Sequence, residues 1–264
     1  MFLSGFGLYF SFEKNPCVKE FYKKRVIRII PSVFVLLAIF AVGGDLLRQD
    51  RIHTIFSPMY WLFSMYSMYW FIGAILLFYL CYPVIHLYLL KNPAWMIVLV
   101  AFAIGFVGVL AIQYSHIGPF GQFEVYFARI PIFVFGSMFA KNQRLFDYKI
   151  ELLILFLFSI PLFYVLPKAL QRMSYVFLAL TFITFVPYIL ANIPSWINKS
   201  LSYIGKSSLE FYLIHIFLFS QGLLAFLVDR MNQGLVVITA LCAVMCCSIV
   251  ANLFFVKLNK FLKR

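Results

Sequence analysis

The sequence predicts an all-α fold, a polytopic bundle of transmembrane helices. The composition is 64% hydrophobic and 20% aromatic with only 12% charged residues, where soluble domains carry charge at about twice that frequency. Apolar stretches recur along the whole chain at the roughly 20 residues a helix needs to cross about 30 Å of hydrocarbon. The basic residues behind a net charge of +13 gather in the connections between those stretches, where they set orientation through the positive-inside rule. In a soluble chain that charge would point to nucleic acid. Between apolar segments it points to the membrane, and no nucleic-acid partner is expected.

The first apolar stretch runs from Met1 to Phe12. As a helix it would be about 18 Å long at 1.5 Å per residue, short of a span, and it reads as the remainder of a truncated N-terminal helix. No positive n-region precedes it and no small-residue cleavage site follows it, so it is not a signal peptide. Glu13 to Arg28 follows, carrying Lys14, Lys19, Lys23, Lys24, Arg25 and Arg28, and reads as a cytoplasmic loop. Eight complete spans are then predicted: Ile29 to Leu47, Met68 to Leu90, Ala94 to Tyr114, Gln122 to Ala140, Ile150 to Leu166, Met173 to Ala191, Ser208 to Val228 and Leu235 to Val256. Alternating from the first loop puts Lys91, Lys141, Arg144, Lys149, Lys199, Lys206 and the tail Lys257, Lys260, Lys263 and Arg264 on the same side. The opposite loops hold only Arg48, Arg51, Lys168, Arg172 and Arg230. A multi-pass cell-membrane protein with a cytoplasmic C-terminus follows.

There is no internal repeat and no soluble segment, so residues 1–264 are read as a single membrane domain. Cys17, Cys81, Cys242, Cys246 and Cys247 fall in or beside the spans without paired spacing, which suggests neither a disulfide framework nor a zinc site. Cys242 and Cys246 share a helix face but lack two further ligands for a tetrahedral metal.

Ionisable groups at membrane depth are costly and ask for a reason. Arg129 is the clearest. Gln122, Tyr126, Arg129, Phe133 and Gly136 recur at helical spacing, a stripe expected to face the bundle interior. Arg129 suits an interhelical ion pair, with Glu124 or a neighbouring helix end, as well as it suits holding a substrate anion or a developing negative charge. In the penultimate span Ser208, Tyr212 and His215 share a face, with Glu210 near the cytoplasmic end; a buried, hydrogen-bonded His is the commoner arrangement. His53, His86 and His116 lie in loops or near helix ends with no partner in view and receive no role. Ser4, Gly7 and Ser11 line one side of the first helix, as close packing in lipid requires. Pro31, Pro83, Pro131, Pro161 and Pro187 fall within or beside spans, where kinks are tolerated.

These segments together resemble the acyltransferase-3 family of bacterial membrane O-acyltransferases. Phe2-Leu3-Ser4-Gly5-Phe6 looks like the family's F-x-L-S-G-F helix. Phe21 to Pro31 is similar to its F-x-x-R-R-x-x-R-I-x-P element, with Lys24 where Arg is usual. Trp70 to Leu80 with Pro83 resembles the aromatic W-F-L...L-F-Y-L...P helix, and Arg129 to Gly136 an R-x-P-x-F-x-x-G segment. Leu201 to His215 resembles L-S-x-I-G-K-x-S-Y-S-L-Y-L-x-H, with Glu210 where a small polar residue is usual. Five such matches in order cover essentially the whole chain.

The resemblance implies a bundle of about ten helices that moves an acyl group, usually acetyl, from cytoplasmic acyl-CoA to a hydroxyl of a cell-surface glycan or a lipid-linked saccharide. It implies that Lys24, Arg25 and Arg28 meet the CoA phosphates, and it calls for no metal. The family's base, a His about ten residues after an Arg, lies in a first helix with no counterpart here. The catalytic residue is therefore unassigned, and His215 and Arg129 are the candidates within the chain. A transporter or flippase is the competing class, since a basic bundle with kinked helices would serve either purpose, and an inactive, truncated member of the family is the other alternative.

Overall fold

A computed structural model describes residues 1–47, 70–114, 123–166, 168–191, 193–220 and 233–261. Every regular element among them is helical. The helices are α1 (Phe2–Lys14), α2 (Val18–Leu47), α3 (Trp70–Lys91), α4 (Ala94–Tyr114), α5 (Phe123–Lys141), α6 (Lys149–Val165), α7 (Lys168–Ala191), α8 (Ser195–Lys206), α9 (Ser208–Ser220) and α10 (Gln233–Phe261), with a 3₁₀ turn at Gln143–Asp147 between α5 and α6. Four stretches, Phe71–Lys91, Ala94–Tyr114, Phe123–Lys141 and Ile238–Lys257, are long and apolar enough to cross a membrane. The all-helical membrane architecture read from the sequence is present.

Two boundaries differ from expectation. The basic segment after α1 is not a loop: the break is confined to Asn15, Pro16 and Cys17, and α2 starts at Val18. Lys, Arg and Glu are good helix formers, and the segment is amphipathic. Phe21, Ile29 and Ser32 are buried and Arg25 half-buried, while Lys19, Lys23, Lys24 and Arg28 are exposed. The second difference is α8, which no apolar run announces. Its Trp196, Ile197 and Leu201 fall on one side and Ser195, Lys199 and Ser202 on the other, a pattern with helical period but too short to span.

The chain divides into two compact units, Met1–Tyr22 with Phe63–Asn192 and Lys23–Leu62 with Ile193–Arg264. In the first, α5 is the centre: Tyr126, Ala128, Pro131, Ile132, Phe133, Val134, Gly136, Ser137, Met138, Phe139 and Ala140 are all buried. This bears out the inward stripe at Tyr126, Phe133 and Gly136, with Arg129 half-buried; Gln122 lies outside the described residues. Helix α1 crosses α5 backbone to backbone. A Cβ on Gly5 would overlap the Phe133 carbonyl, and one on Gly136 would overlap the Phe2 carbonyl. Ser137 Oγ donates to the Gly5 carbonyl across the same crossing at 3.0 Å.

The packing face of α1 is therefore Phe2, Gly5, Leu8 and Phe12, not the expected Ser4, Gly7 and Ser11. Gly7 has open space around it. Both stripes carry a glycine, but only the first adds Phe2, Leu8 and Phe12, whose rings and side chain fill the spaces around Phe133, Tyr82 and Phe139. Helix α4 reaches α5 on its other side, with Gly105 beside the Phe127 carbonyl and Gly108 under the Phe127 ring. Pro31, Pro83, Pro131 and Pro161 all lie inside continuous helices. All five cysteines are exposed and free.

In the second unit α9 packs on α10, whose buried residues Val236, Ala240, Val244, Ser248 and Phe255 form a stripe at helical spacing. The buried face of α9 is Glu210, Leu213 and Ile214, with Ser207 buried just before the helix, whereas Ser208 is exposed and Tyr212 and His215 are half-buried. The inward stripe expected from Ser208, Tyr212 and His215 is thus displaced to its neighbours, because Leu213 and Ile214 supply more apolar area than the polar row.

Replacing Gly5 with Leu should destabilise the protein by about 1–3 kcal/mol or more through overpacking against fixed backbone, while Gly7→Leu stays within about 0.5 kcal/mol. Thermal unfolding of the two variants in detergent checks this; equal midpoints would remove the Gly5 crossing as the packing contact.

Candidate active site

The basic residues matched to the family lie on one face of α2. Lys24, Arg25 and Arg28 are separated by one, three and four positions, which places them within a single arc of a 3.6-residue helix. Lys24 and Arg28 are exposed and Arg25 half-buried. One turn beyond Arg28, Ser32 Oγ lies 3.3 Å from the Arg28 carbonyl and 3.4 Å from Glu210 Oε1 on α9. Asn252 Nδ2 on α10 donates to the other carboxylate oxygen at 3.3 Å. Glu210 is only 4% exposed. The longer side chain at a position where the family carries a small polar residue thus ties α2, α9 and α10 together, and a hydroxyl and an amide partner satisfy its carboxylate.

His215 sits on the flank of the same helix. Its Nδ1 is 3.0 Å from the Phe211 carbonyl; a carbonyl can only accept, so Nδ1 carries the proton in that bond and Nε2 is the basic nitrogen. The ring stacks on Phe211 with centroids 5.8 Å apart and meets Tyr212 edge-on at 5.3 Å. Lys24, Arg25, Arg28 and His215 belong to the second unit, and Arg129 belongs to the first.

A pair that sequence reasoning passed over lies in the first unit. His86, expected near a helix end and without a partner, is inside α3 and only 4% exposed. Its Nε2 is 3.1 Å from Glu13 Oε1 at the end of α1, and that carboxylate is 47% exposed. Tyr9, Phe12 and Tyr82 surround the imidazole, with ring centroids at 5.4, 4.8 and 5.9 Å. Nδ1 is buried without a hydrogen-bond partner among the described residues. A weak signal was present in the sequence: Glu13 is the only acidic residue of α1, and a lone carboxylate at the end of an apolar helix looks for a donor. What the sequence could not supply was the neighbour. Of the other histidines, His53 and His116 lie outside the described residues.

No group of three or more His, Cys, Asp or Glu among the described residues is placed to hold a metal ion. The chemistry open to the arrangement is that of cationic anion binding on α2 and of imidazole–carboxylate or imidazole proton transfer on α3 and α9.

The chain has no match among curated proteins or among solved structures. The profile of one protein family, described as an acyltransferase domain, matches residues 1–253. That match takes in the Gly5 crossing helix, the basic face of α2, the Arg129 stripe of α5 and the Leu201 to His215 segment, and it carries with it an acyltransferase kind of function. The chain belongs to the acyltransferase-3 family.

Proposed function

We propose that the protein is a membrane O-acyltransferase that moves an acyl group, acetyl above all, from cytoplasmic acyl-CoA to a hydroxyl of a cell-surface glycan or lipid-linked saccharide. The observation that carries this reading is the family match over residues 1–253. The cationic face of α2 supports it. Lys24, Arg25 and Arg28 meet the CoA phosphates, since a diphosphate and a 3′-phosphate need several cations at one place and guanidinium groups bind phosphate oxygens in pairs.

The reaction joins the acceptor oxygen to the thioester carbonyl carbon and expels CoA. It needs a cation or donor for the tetrahedral oxyanion and a base for the acceptor proton. Arg129, half-buried on the inward stripe of α5, is the chain's candidate for the first task. His215, with Nε2 as the basic nitrogen, is one candidate for the second. Eight complete spans with a shorter first helix, and a C-terminus on the same side as the α2 basic face, complete the reading, which puts the donor site at the cytoplasmic surface.

Cells carrying the chain should release more base-labile acetate from their envelope glycan than cells carrying an empty vector. Equal release would remove the acetyltransfer reading. Changing Arg25 and Arg28 together to Gln should weaken [14C]acetyl-CoA binding to the detergent-solubilised protein roughly tenfold or more, since each removes a charge-assisted hydrogen bond. Insertion stays intact because Lys14, Lys19, Lys23 and Lys24 still anchor that side. Unchanged binding would return both arginines to topology. A reporter enzyme fused after Arg264 should be active in the cytoplasm, and a periplasmic signal would reverse the placing of the donor site.

A further inference from the structure

We propose that His86 is a catalytic base of this chain, with Glu13 as its positioning residue, and that it takes the proton of the acceptor hydroxyl during acyl transfer. The inference rests on the acyltransferase reading and deepens it.

Three features of the pair point the same way. A carboxylate accepts and does not donate, so the 3.1 Å contact between Glu13 Oε1 and His86 Nε2 places the imidazole proton on Nε2 and the lone pair on Nδ1. This is the base-and-orienter arrangement that acyl-transfer sites use to activate a hydroxyl. Second, Nδ1 is buried and has no partner among the described residues. A buried polar atom left unpaired is costly, and here that atom is the acceptor nitrogen of the imidazole. Third, the two ends of the pair differ in exposure, 5% for the His86 side chain and 47% for that of Glu13. The imidazole is shielded from water by Tyr9, Phe12 and Tyr82, while the carboxylate that balances an imidazolium reaches the surface. Of those three rings Phe12 and Tyr82 are buried and Tyr9 is half-buried.

The step balances without any further reactant. The acceptor oxygen forms a bond to the thioester carbonyl carbon as its proton passes to His86 Nδ1, and the Glu13 carboxylate stabilises the resulting imidazolium. The tetrahedral intermediate collapses with cleavage of the C–S bond, and the proton on Nδ1 passes to the departing thiolate. Ester and CoA thiol leave, and the imidazole is neutral again. Among the described residues, Glu13, Tyr9, Tyr82 and Lys141 are the titratable groups around this imidazole.

The test uses the full chain in membranes of expressing cells, with [14C]acetyl-CoA as donor and label in the membrane saccharide fraction as readout. His86→Gln is the discriminating variant, because its amide can still donate to Glu13 and fill the space but cannot take a proton. It should lose about 10²-fold or more of the transfer rate while acetyl-CoA binding is kept. His86→Ala should lose as much and regain a part on adding imidazole, and Glu13→Gln should shift the pH dependence of the rate. Transfer by His86→Gln within about threefold of wild type, or His86→Ala that imidazole does not restore, would overturn the proposal and leave the acyltransferase reading standing. A wild-type chain that transfers no label would overturn both.

Discussion

The first unit depends on two glycines that let α1 lie directly against the backbone of α5. Gly5 meets the Phe133 carbonyl and Gly136 meets the Phe2 carbonyl, and Ser137 bonds the Gly5 carbonyl at the same point. In lipid no hydrophobic driving force favours one helix neighbour over another, so association rests on close van der Waals contact and on hydrogen bonds between helices. A side chain at either position would push the helices apart and lose both. With the crossing in place, Leu8 and Phe12 reach Tyr82 and Phe133, and Phe2 reaches Phe139, Val176 and Leu180. The wall around His86 is a consequence of the same contact, because Tyr9, Phe12 and Glu13 are all carried on α1.

Each unit encloses a polar cluster, and the two are built differently. In the second unit the Glu210 carboxylate has a partner on each oxygen, Ser32 on α2 and Asn252 on α10. A group satisfied at both ends rigidifies its surroundings. In the first unit Glu13 satisfies one nitrogen of His86 and the other has no partner among the described residues. Glu210 thus ties α2, α9 and α10 together, and Glu13 ties α1 to α3 through one nitrogen of His86.

The candidate site was partly legible in the sequence. Lys24, Arg25 and Arg28 were drawn together by the resemblance of Phe21 to Pro31 to a family element, within a segment read as a loop, and the Arg129 stripe by the recurrence of Tyr126, Arg129, Phe133 and Gly136 at helical spacing. Reading the basic segment as a loop failed for an identifiable reason: a run of charges between apolar stretches signals orientation, yet Lys, Arg and Glu are also helix formers, and Phe21, Ile29 and Ser32 give the segment a buried side. Glu210 was visible as an ionisable group near the end of its span and as a departure from the family pattern. Its reach to Ser32 and Asn252 needed the packing of α2 and α10 against α9.

By itself the sequence determined the class of this protein, the existence of most of its described helices and the family to which it belongs. Hydrophobic length, charge placement and motif order are local properties that survive without knowledge of any contact. Tertiary structure alone decided which side of α1 packs, which face of α9 is buried, and that Glu13 and His86 meet. Two small-residue stripes on one helix are equivalent until a neighbouring backbone and the large side chains beside it select one. A histidine and a carboxylate on different helices become a pair only when a third element holds those helices in register. Here that element is α5, through the glycine crossing that sets the position of α1.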